Sequence, residues 1–292
     1  MKIVNIKGGL GNQMLQYALA YKLKKLYPSE EVLLDLKNFK GYNWHEYELK
    51  YVFDVDIPTA SFWQLLKVTS PFSLNTKLGG YMHAIYYKLG LNKKEYVEQG
   101  QSEYYGEVFK KKGNWYFDGY WANQDYFVDI RDEILKIFSF KRELDVQNMK
   151  LLDEIRSTNS VSLHVRRGNY LLFDIYKGIC EIDYYQRAID YINSQIENPH
   201  FFVFSNDIEW CKENLTGILK NYTFVDNNSG MSNYIDMQLM SNCMHNIIAN
   251  SSFSWWGAWL NQNQKKIVVA PQRYLNIDGL TSSPNLKDWI TF

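Results

Sequence analysis

The side chains of this 292-residue chain best equipped for chemistry lie in the run HVRRGNY, residues 164–170. If residues 161–165 are extended, period-two alternation sets Ser162, His164 and Arg166 on one face and Val161, Leu163 and Val165 on the other. A guanidinium presents a fixed fork that matches two phosphate oxygens and stays charged at any physiological pH. Arg166, with Arg167 beside it, therefore suits neutralisation of a departing pyrophosphate. An isolated arginine pair ordinarily bridges surface carboxylates. Here a histidine two residues earlier, and Gly168, which would let a ligand approach the backbone, favour a site.

Two further runs could assist. In NSSFSWWGAWL, residues 250–260, Asn250 precedes two small hydroxyl residues, after which Phe253, Trp256 and Leu260 recur at helical spacing. Ser251 or Ser252 can cap that helix, and its first N–H groups could hold a phosphate; Trp255, Trp256 and Trp259 read as core. GGLGNQM, residues 8–14, is neither GxGxxG nor a Walker loop, so a dinucleotide or P-loop reading is poor. Its glycines, Gly11 among them, bring backbone close to something, and Asn12 and Gln13 are expected to project neutral donors and acceptors for sugar hydroxyls. Asp54-Val55-Asp56 has the spacing by which many metal-dependent transferases hold a diphosphate, but it is remote from the other runs and DxD is common by chance. His45, His83 and His200 are isolated and read as surface or packed residues, and no HExxH or paired-carboxylate motif occurs.

These runs need elements to position them. Residues 2–7 alternate as a strand, glycines break the pattern, Leu15, Leu19, Leu23 and Leu26 recur as a helix that Pro28 stops, and residues 31–35 form the next strand. Residues 39–143 are poorly patterned and read as mostly helical, with a Lys-rich turn at 110–113 that suggests a hairpin into a strand at 115–120. After a charged segment at 141–156, expected as the hinge, strands at 161–165, 201–204, 222–225, 246–249 and 266–270 alternate with helices at 183–195, 208–219, 232–243 and 252–261. Such alternation needs crossovers and a parallel sheet covered on both faces. Ligands bind outside the carboxyl ends of such strands. There the sequence gathers Arg166, Arg167 and Gly168; then Ser205, Asn206 and Asp207; then Asp226; then Asn250, Ser251 and Ser252. The expected division is residues 1–155 and residues 156–292.

Composition bounds the partners. Lys plus Arg and Asp plus Glu number 32 each, giving a formal net charge of zero, which argues against a nucleic-acid binder working by bulk charge. Aromatics reach 16%, an excess that serves sugar or base stacking but more commonly core packing. Three cysteines without CxxC spacing suggest neither a disulfide framework nor a zinc site, and fit a reducing compartment. The first residues hold too short an apolar run for a signal peptide, and no apolar stretch is long enough to span a bilayer. The chain is expected in the cytoplasm, with room for peripheral docking on a membrane.

With those residues set out, the sequence resembles bacterial α-1,2-fucosyltransferases of glycosyltransferase family 11. GGLGNQMLQYA (8–18) is similar to the family opening GGLGNQMFQYA, GYWANQDYF (119–127) to its GYWQ segment, HVRRGNY to HxRRGDY, FSND (204–207) to FSDD, and NSSFSWWGAWL to the block of the same sequence. The resemblance implies an α/β, GT-B-like fold of two Rossmann-like domains with a cleft between them: an N-terminal acceptor side and a C-terminal donor side. It implies GDP-fucose as donor, a terminal β-galactoside hydroxyl of an oligosaccharide or lipid-linked glycan as acceptor, inversion at the anomeric carbon, and no metal or other cofactor. Peripheral association with the inner membrane is compatible with these partners. By the same resemblance Arg166 binds the β-phosphate and assists GDP departure with Arg167 beside it. His164 lines that pocket, and Asn12, with Gly11 and Gln13, lies near the fucose and phosphate. Asp207, after Ser205, is a guanosine-side contact, and Asn250, Ser251, Ser252 and Phe253 close on the pyrophosphate.

One position departs from the family: Asn169 stands where Asp is usual, and a neutral amide accepts a hydrogen bond but cannot take a proton. That position reads as support for the arginine pair, and Asp174 and Glu46 are the polar candidates for a base. The rival readings are a noncatalytic nucleotide- or glycan-binding protein on the same scaffold, a DxD metal-dependent transferase and, disfavoured by charge, an RNA-binding protein.

Overall fold

The computed structural model describes residues 1–40, 46–91, 94–97, 102–277 and 283–292. The chain divides into two compact units, Met1–Lys141 and Arg142–Phe292. Both are Rossmann-like, the content of a GT-B-like fold.

The first unit opens with β1 (Lys2–Asn5), α1 (Leu10–Leu26) and β2 (Val32–Asp35). The run 39–143, expected as mostly helical, holds short helices α2 (Leu49–Val52), α3 (Phe62–Leu66), α4 (Lys77–Lys88) and α5 (Arg131–Ile137). It also contributes two strands, β3 (Glu95–Val97) and β4 (Trp115–Asp118). The sheet order is β2-β1-β4-β3, all parallel, with Ile3 beside Leu33 on one side and Tyr116 on the other. The expected hairpin at 110–113 is therefore not formed. That turn is instead anchored to the first strand: the buried Lys2 ammonium donates to the Lys111 carbonyl at 2.6 Å and to the Gly113 carbonyl at 3.4 Å.

The second unit begins within the segment expected as a hinge. Residues 146–157 there form α6 (Val146–Ser157), N-capped by Asp145, whose carboxylate accepts from the Asn148 N–H at 2.8 Å. Then follow β5 (Asn159–Val165), α7 (Ile182–Gln195), β6 (Pro199–Ser205), α8 (Ile208–Leu215), β7 (Tyr222–Val225), α9 (Tyr234–Asn242), β8 (His245–Ile247), α10 (Ser252–Leu260), β9 (Val268–Ala270) and β10 (Ile290–Thr291). The short strand β10 carries no pattern that marked it in the sequence. The order is β10-β9-β8-β5-β6-β7, again all parallel. Val161, Leu163 and Val165 enter one core with Tyr185, Ile189 and Phe201, while Ser162, on the opposite face, accepts from the Asn246 amide at 2.7 Å. Both faces of β5 are thus covered, as a central parallel strand requires.

Candidate active site

In the second sheet two neighbouring strand ends, β5 and β8, are followed by connections leaving in opposite directions, to β6 on one side and to β9 on the other. Loops leaving such a switch point splay apart and leave the crevice in which open α/β sheets bind ligands. GGLGNQM follows β1, HVRRGNY straddles the end of β5, and Asn250 to Phe253 lie just past β8.

His164 is 6% exposed, its ring 5.8 Å from that of Phe253, so β5 and the start of α10 meet at this pair. Burial, and secondarily the charge of Arg166, push the imidazole down to about 3, so it is neutral at physiological pH. Its Nδ1 is buried with no hydrogen-bond partner among the described residues. Such an orphan costs about 1–3 kcal/mol. Arg166 is half-buried, with its guanidinium carbon 5.2 Å over the Tyr170 ring, and Tyr170 stacks on Tyr176 at 4.0 Å.

Arg167 behaves differently from its neighbour. Its backbone N–H donates to Asn206 Oδ1 at 2.9 Å, its Nε to Asp207 Oδ2 at 3.3 Å, and its guanidinium lies 4.2 Å over Trp210. Asp207 also N-caps α8 by accepting from the Trp210 N–H, and its own N–H donates to Ser205 Oγ at 2.9 Å. The expected donor contacts Arg167, Ser205 and Asp207 therefore form one interlocked turn. Gly168, expected to let a ligand approach, has its space taken by Asn206: φ is +56°, and a Cβ would stand 2.2 Å from the Asn206 amide nitrogen. Asp226, past β7, faces Lys212 at 3.7 Å. The side chain of Asn169, like the whole of His45, lies outside the described residues.

Past β8, Asn250 is buried and donates to the Tyr274 carbonyl at 3.1 Å, while Ser251 N-caps α10 by accepting from the Phe253 N–H at 3.3 Å. Ser252 and Phe253 are half-exposed at the first turn, where the helix carries its partial positive charge. Trp255, Trp256 and Trp259 are core, each 1% exposed or less.

In the first unit, Gly8 has φ +79°, and a Cβ there would stand 2.7 Å from the Asn12 amide nitrogen, so Asn12 folds back over the loop. Gly11 is buried within α1. Gln13 does not project outward. It is fully buried, donating to the carbonyls of Gly8 at 2.9 Å and Glu46 at 2.7 Å and accepting from the Glu48 N–H at 2.9 Å. It clamps residues 46–48 onto the glycine loop. That clamp holds Glu48, which sequence reasoning missed, against the start of α1. Burial, then the charge of Glu46, raise the Glu48 carboxyl to about 7 against a hydrogen bond from the Leu10 N–H. Of the two base candidates read from the sequence, Glu46 is exposed, and Asp174 is exposed and paired with Lys177 at 2.7 Å. At the end of β4, Asp118 takes hydrogen bonds from Asn5 at 2.8 Å and Lys7 at 2.6 Å. Its carboxyl is held low because Lys7 and Asn5 outweigh burial.

The DxD is absorbed by local structure. Asp56 accepts from Lys24 at 2.8 Å and Tyr17 at 3.2 Å, tying its loop to α1. Among the described residues no group of three His, Cys, Asp or Glu could hold a metal ion, and the three cysteines are unpaired.

The family model described as Glycosyl transferase family 11 matches residues 1–292. An α-1,2-colitosyltransferase of Escherichia coli is 34% identical, covering 99% of this chain and 97% of its own. Galactoside α-(1,2)-fucosyltransferase 2 of Mus musculus is 30% identical over 49% of this chain and 44% of its own. The NodZ α-1,6-fucosyltransferase crystal structure soaked with GDP-fucose is similar in fold, with a TM-score of 0.52 at 13% identity over 89% of this chain and 91% of that one. With the full-length family match and the arginine turn at the switch point of its second sheet, the chain is a glycosyltransferase and belongs to glycosyl transferase family 11.

Proposed function

We propose that this enzyme transfers L-fucose from GDP-fucose, with inversion, to the 2-hydroxyl of a terminal β-galactoside in surface polysaccharide or oligosaccharide synthesis, at the cytoplasmic face of the membrane. The observation that carries this reading is Arg166 beside a neutral, buried His164 at the end of β5, whose Nδ1 has no hydrogen-bond partner among the described residues and whose ring meets Phe253 at the first turn of α10. The second unit is assigned the donor and the first unit the acceptor. Two relatives named for α-1,2 transfer support the position of the new bond.

In this mechanism the bond from C1 of fucose to the β-phosphate oxygen breaks, and its electron pair leaves with GDP. The acceptor oxygen bonds C1 from the opposite face, and its proton passes to a base or to solvent water. Arg166 and the α10 N-terminus stabilise the charge on departing GDP, the largest contribution to lowering the barrier. Arg167, Ser205 and Asp207 hold the turn that presents Arg166, Asn12 meets the sugar side, and Ser251, Ser252 and Phe253 border the pyrophosphate. Arg166 supplies the positive charge a metal would otherwise bring, so full activity in EDTA is expected; loss of activity there would revive the DxD reading.

GDP release from GDP-fucose with lactose present tests the reading. Turnover is expected, and binding without turnover would favour a noncatalytic protein. The 34% identity to a colitosyltransferase favours one specific second reading, in which the donor is GDP-colitose, a sugar lacking the 3-hydroxyl of fucose. Comparing kcat/KM for the two donors decides between them, with GDP-fucose expected to lead.

A further inference from the structure

Residues 57–94 contain five lysines, at 67, 77, 88, 93 and 94, and no aspartate or glutamate, in a chain whose overall charge is zero. The same segment holds α3 and α4, and it is incompletely folded away. Of the 12 residues of α4 only Tyr86 is buried, and its hydroxyl donates to the Leu66 carbonyl at 2.8 Å, tying α4 to the end of α3. The rest of α4 turns outward. Lys77, Tyr81, Ala84 and Lys88 recur at intervals of four, three and four residues, so they form one stripe, and all four are exposed. Beside the stripe Leu78 is 73% exposed, and on α3 Trp63 is 70% exposed. Lys67, Lys77, Lys88 and Lys94 enter no ion pair among the described residues.

A soluble surface hides large apolar side chains or scatters them singly; gathered exposure marks an interaction surface. We propose that the α3–α4 surface of the first unit is a docking face for an anionic lipid bilayer. Charge complementarity selects this occupant. A second copy of the same face would set lysine against lysine in an isologous pair, whereas anionic head groups neutralise them. Trp63 and Tyr81 have the amphipathic rings that settle at the head-group level, Leu78 reaches the acyl boundary, and lysine stems lie along apolar surface with their ammonium groups in water. No helix among the described residues is long and apolar enough to cross a membrane; α3 and α4, of 5 and 12 residues, have the length of surface-lying segments. The inference rests on the membrane part of the proposed function and gives it a surface. An enzyme docked this way would meet lipid-linked acceptors by diffusion in two dimensions.

Flotation of the full chain with vesicles tests this without any turnover, so its failure leaves glycosyl transfer untouched. The expected result is co-flotation with phosphatidylglycerol-containing vesicles, little with pure phosphatidylcholine, and loss of binding on raising salt from 50 to 500 mM. Each exposed lysine contributes roughly fivefold to affinity. K67E/K77E/K88E is expected to lower binding at least tenfold, and W63S/L78S to weaken it at both salt concentrations, each with unchanged circular dichroism and unchanged GDP release on soluble lactose. Wild-type protein that stays at the bottom of the gradient would overturn the proposal, as would the lysine variant floating like wild type. A self-associating protein that does not float would assign the face to a second copy and overturn it as well.

Discussion

Arg167 is bound through Nε to Asp207 at 3.3 Å while its guanidinium covers the Trp210 ring at 4.2 Å, so the second arginine of the pair is committed to the start of α8. Arg166, on the other side of the backbone, shares its surroundings with His164 and Tyr170. Two adjacent, chemically identical side chains therefore carry different tasks. Arg166→Ala is expected to lower kcat/KM for GDP-fucose by about 10²–10³ with an unchanged melting temperature. Arg167→Ala is expected to lower the melting temperature and to raise KM for the donor more than it lowers kcat. Steady-state kinetics with thermal melts on both variants checks this, and near-normal turnover in Arg166→Ala would refute the leaving-group role.

Gly168→Ala is expected to destabilise the second unit by about 1–3 kcal/mol, because it strains a backbone at φ +56° and drives a Cβ into Asn206. Asn206→Ala removes the clash but also the acceptor of the Arg167 N–H at 2.9 Å. The double variant should be less destabilised than the sum of the singles, keeping the backbone strain and the lost acceptor but not the clash. Urea denaturation of the three variants gives that coupling.

Glu48 is held against the start of α1 by the Gln13 clamp, and burial raises its carboxyl to about 7. A carboxyl raised on folding contributes stability while it is protonated, and that contribution is lost as pH rises through about 7. Glu48→Gln removes the charge and is expected to raise the melting temperature at pH 8 more than at pH 5. Equal shifts at the two pH values in thermal melts would refute the raised carboxyl.

Asp236 is half-buried on α9 and accepts a hydrogen bond from the Asn228 amide at 2.7 Å, and the loss of solvation there raises its carboxyl to about 7. A carboxyl raised on folding contributes stability while protonated in both states, below its unfolded value near 4. That contribution is lost as pH rises through about 7. Asp236→Asn keeps the acceptor oxygen and removes the charge. It should stabilise the protein by on the order of 2 kcal/mol at pH 8, with the gain shrinking toward pH 5, as melting curves at both pH values would report.

How far the sequence revealed this arrangement differed between the halves. In the second unit, the strands at Val161 to Val165 and Phe201 to Phe204 and the α10 cap were readable, because parallel strands buried on both faces give continuous apolar runs bounded by polar turns. The first unit concealed β3, which is only half-buried, and the pairing of β4, a strand that was readable but whose preceding turn looked like a hairpin; what fixes that turn is Lys2, more than 100 residues away. The placement of Arg166 and His164 at a strand end followed from alternation alone. The burial of Gln13, the occupation of the Gly168 space by Asn206 and the perturbed carboxyl of Glu48 depended on contacts between segments that no local pattern encodes.

The position of β5 has a consequence for how the molecule comes into being. Leu163 lies beside Val203 on one flank and beside Ile247 on the other, a partner 84 residues further along the chain. During synthesis the strand bearing His164 waits, with one edge bare, until β8 has emerged, and pairings between such distant segments are the slow ones in folding. The strand-end rim that bears His164 and Arg166 is accordingly among the last features to form, complete only once β8 and the start of α10 have been laid down.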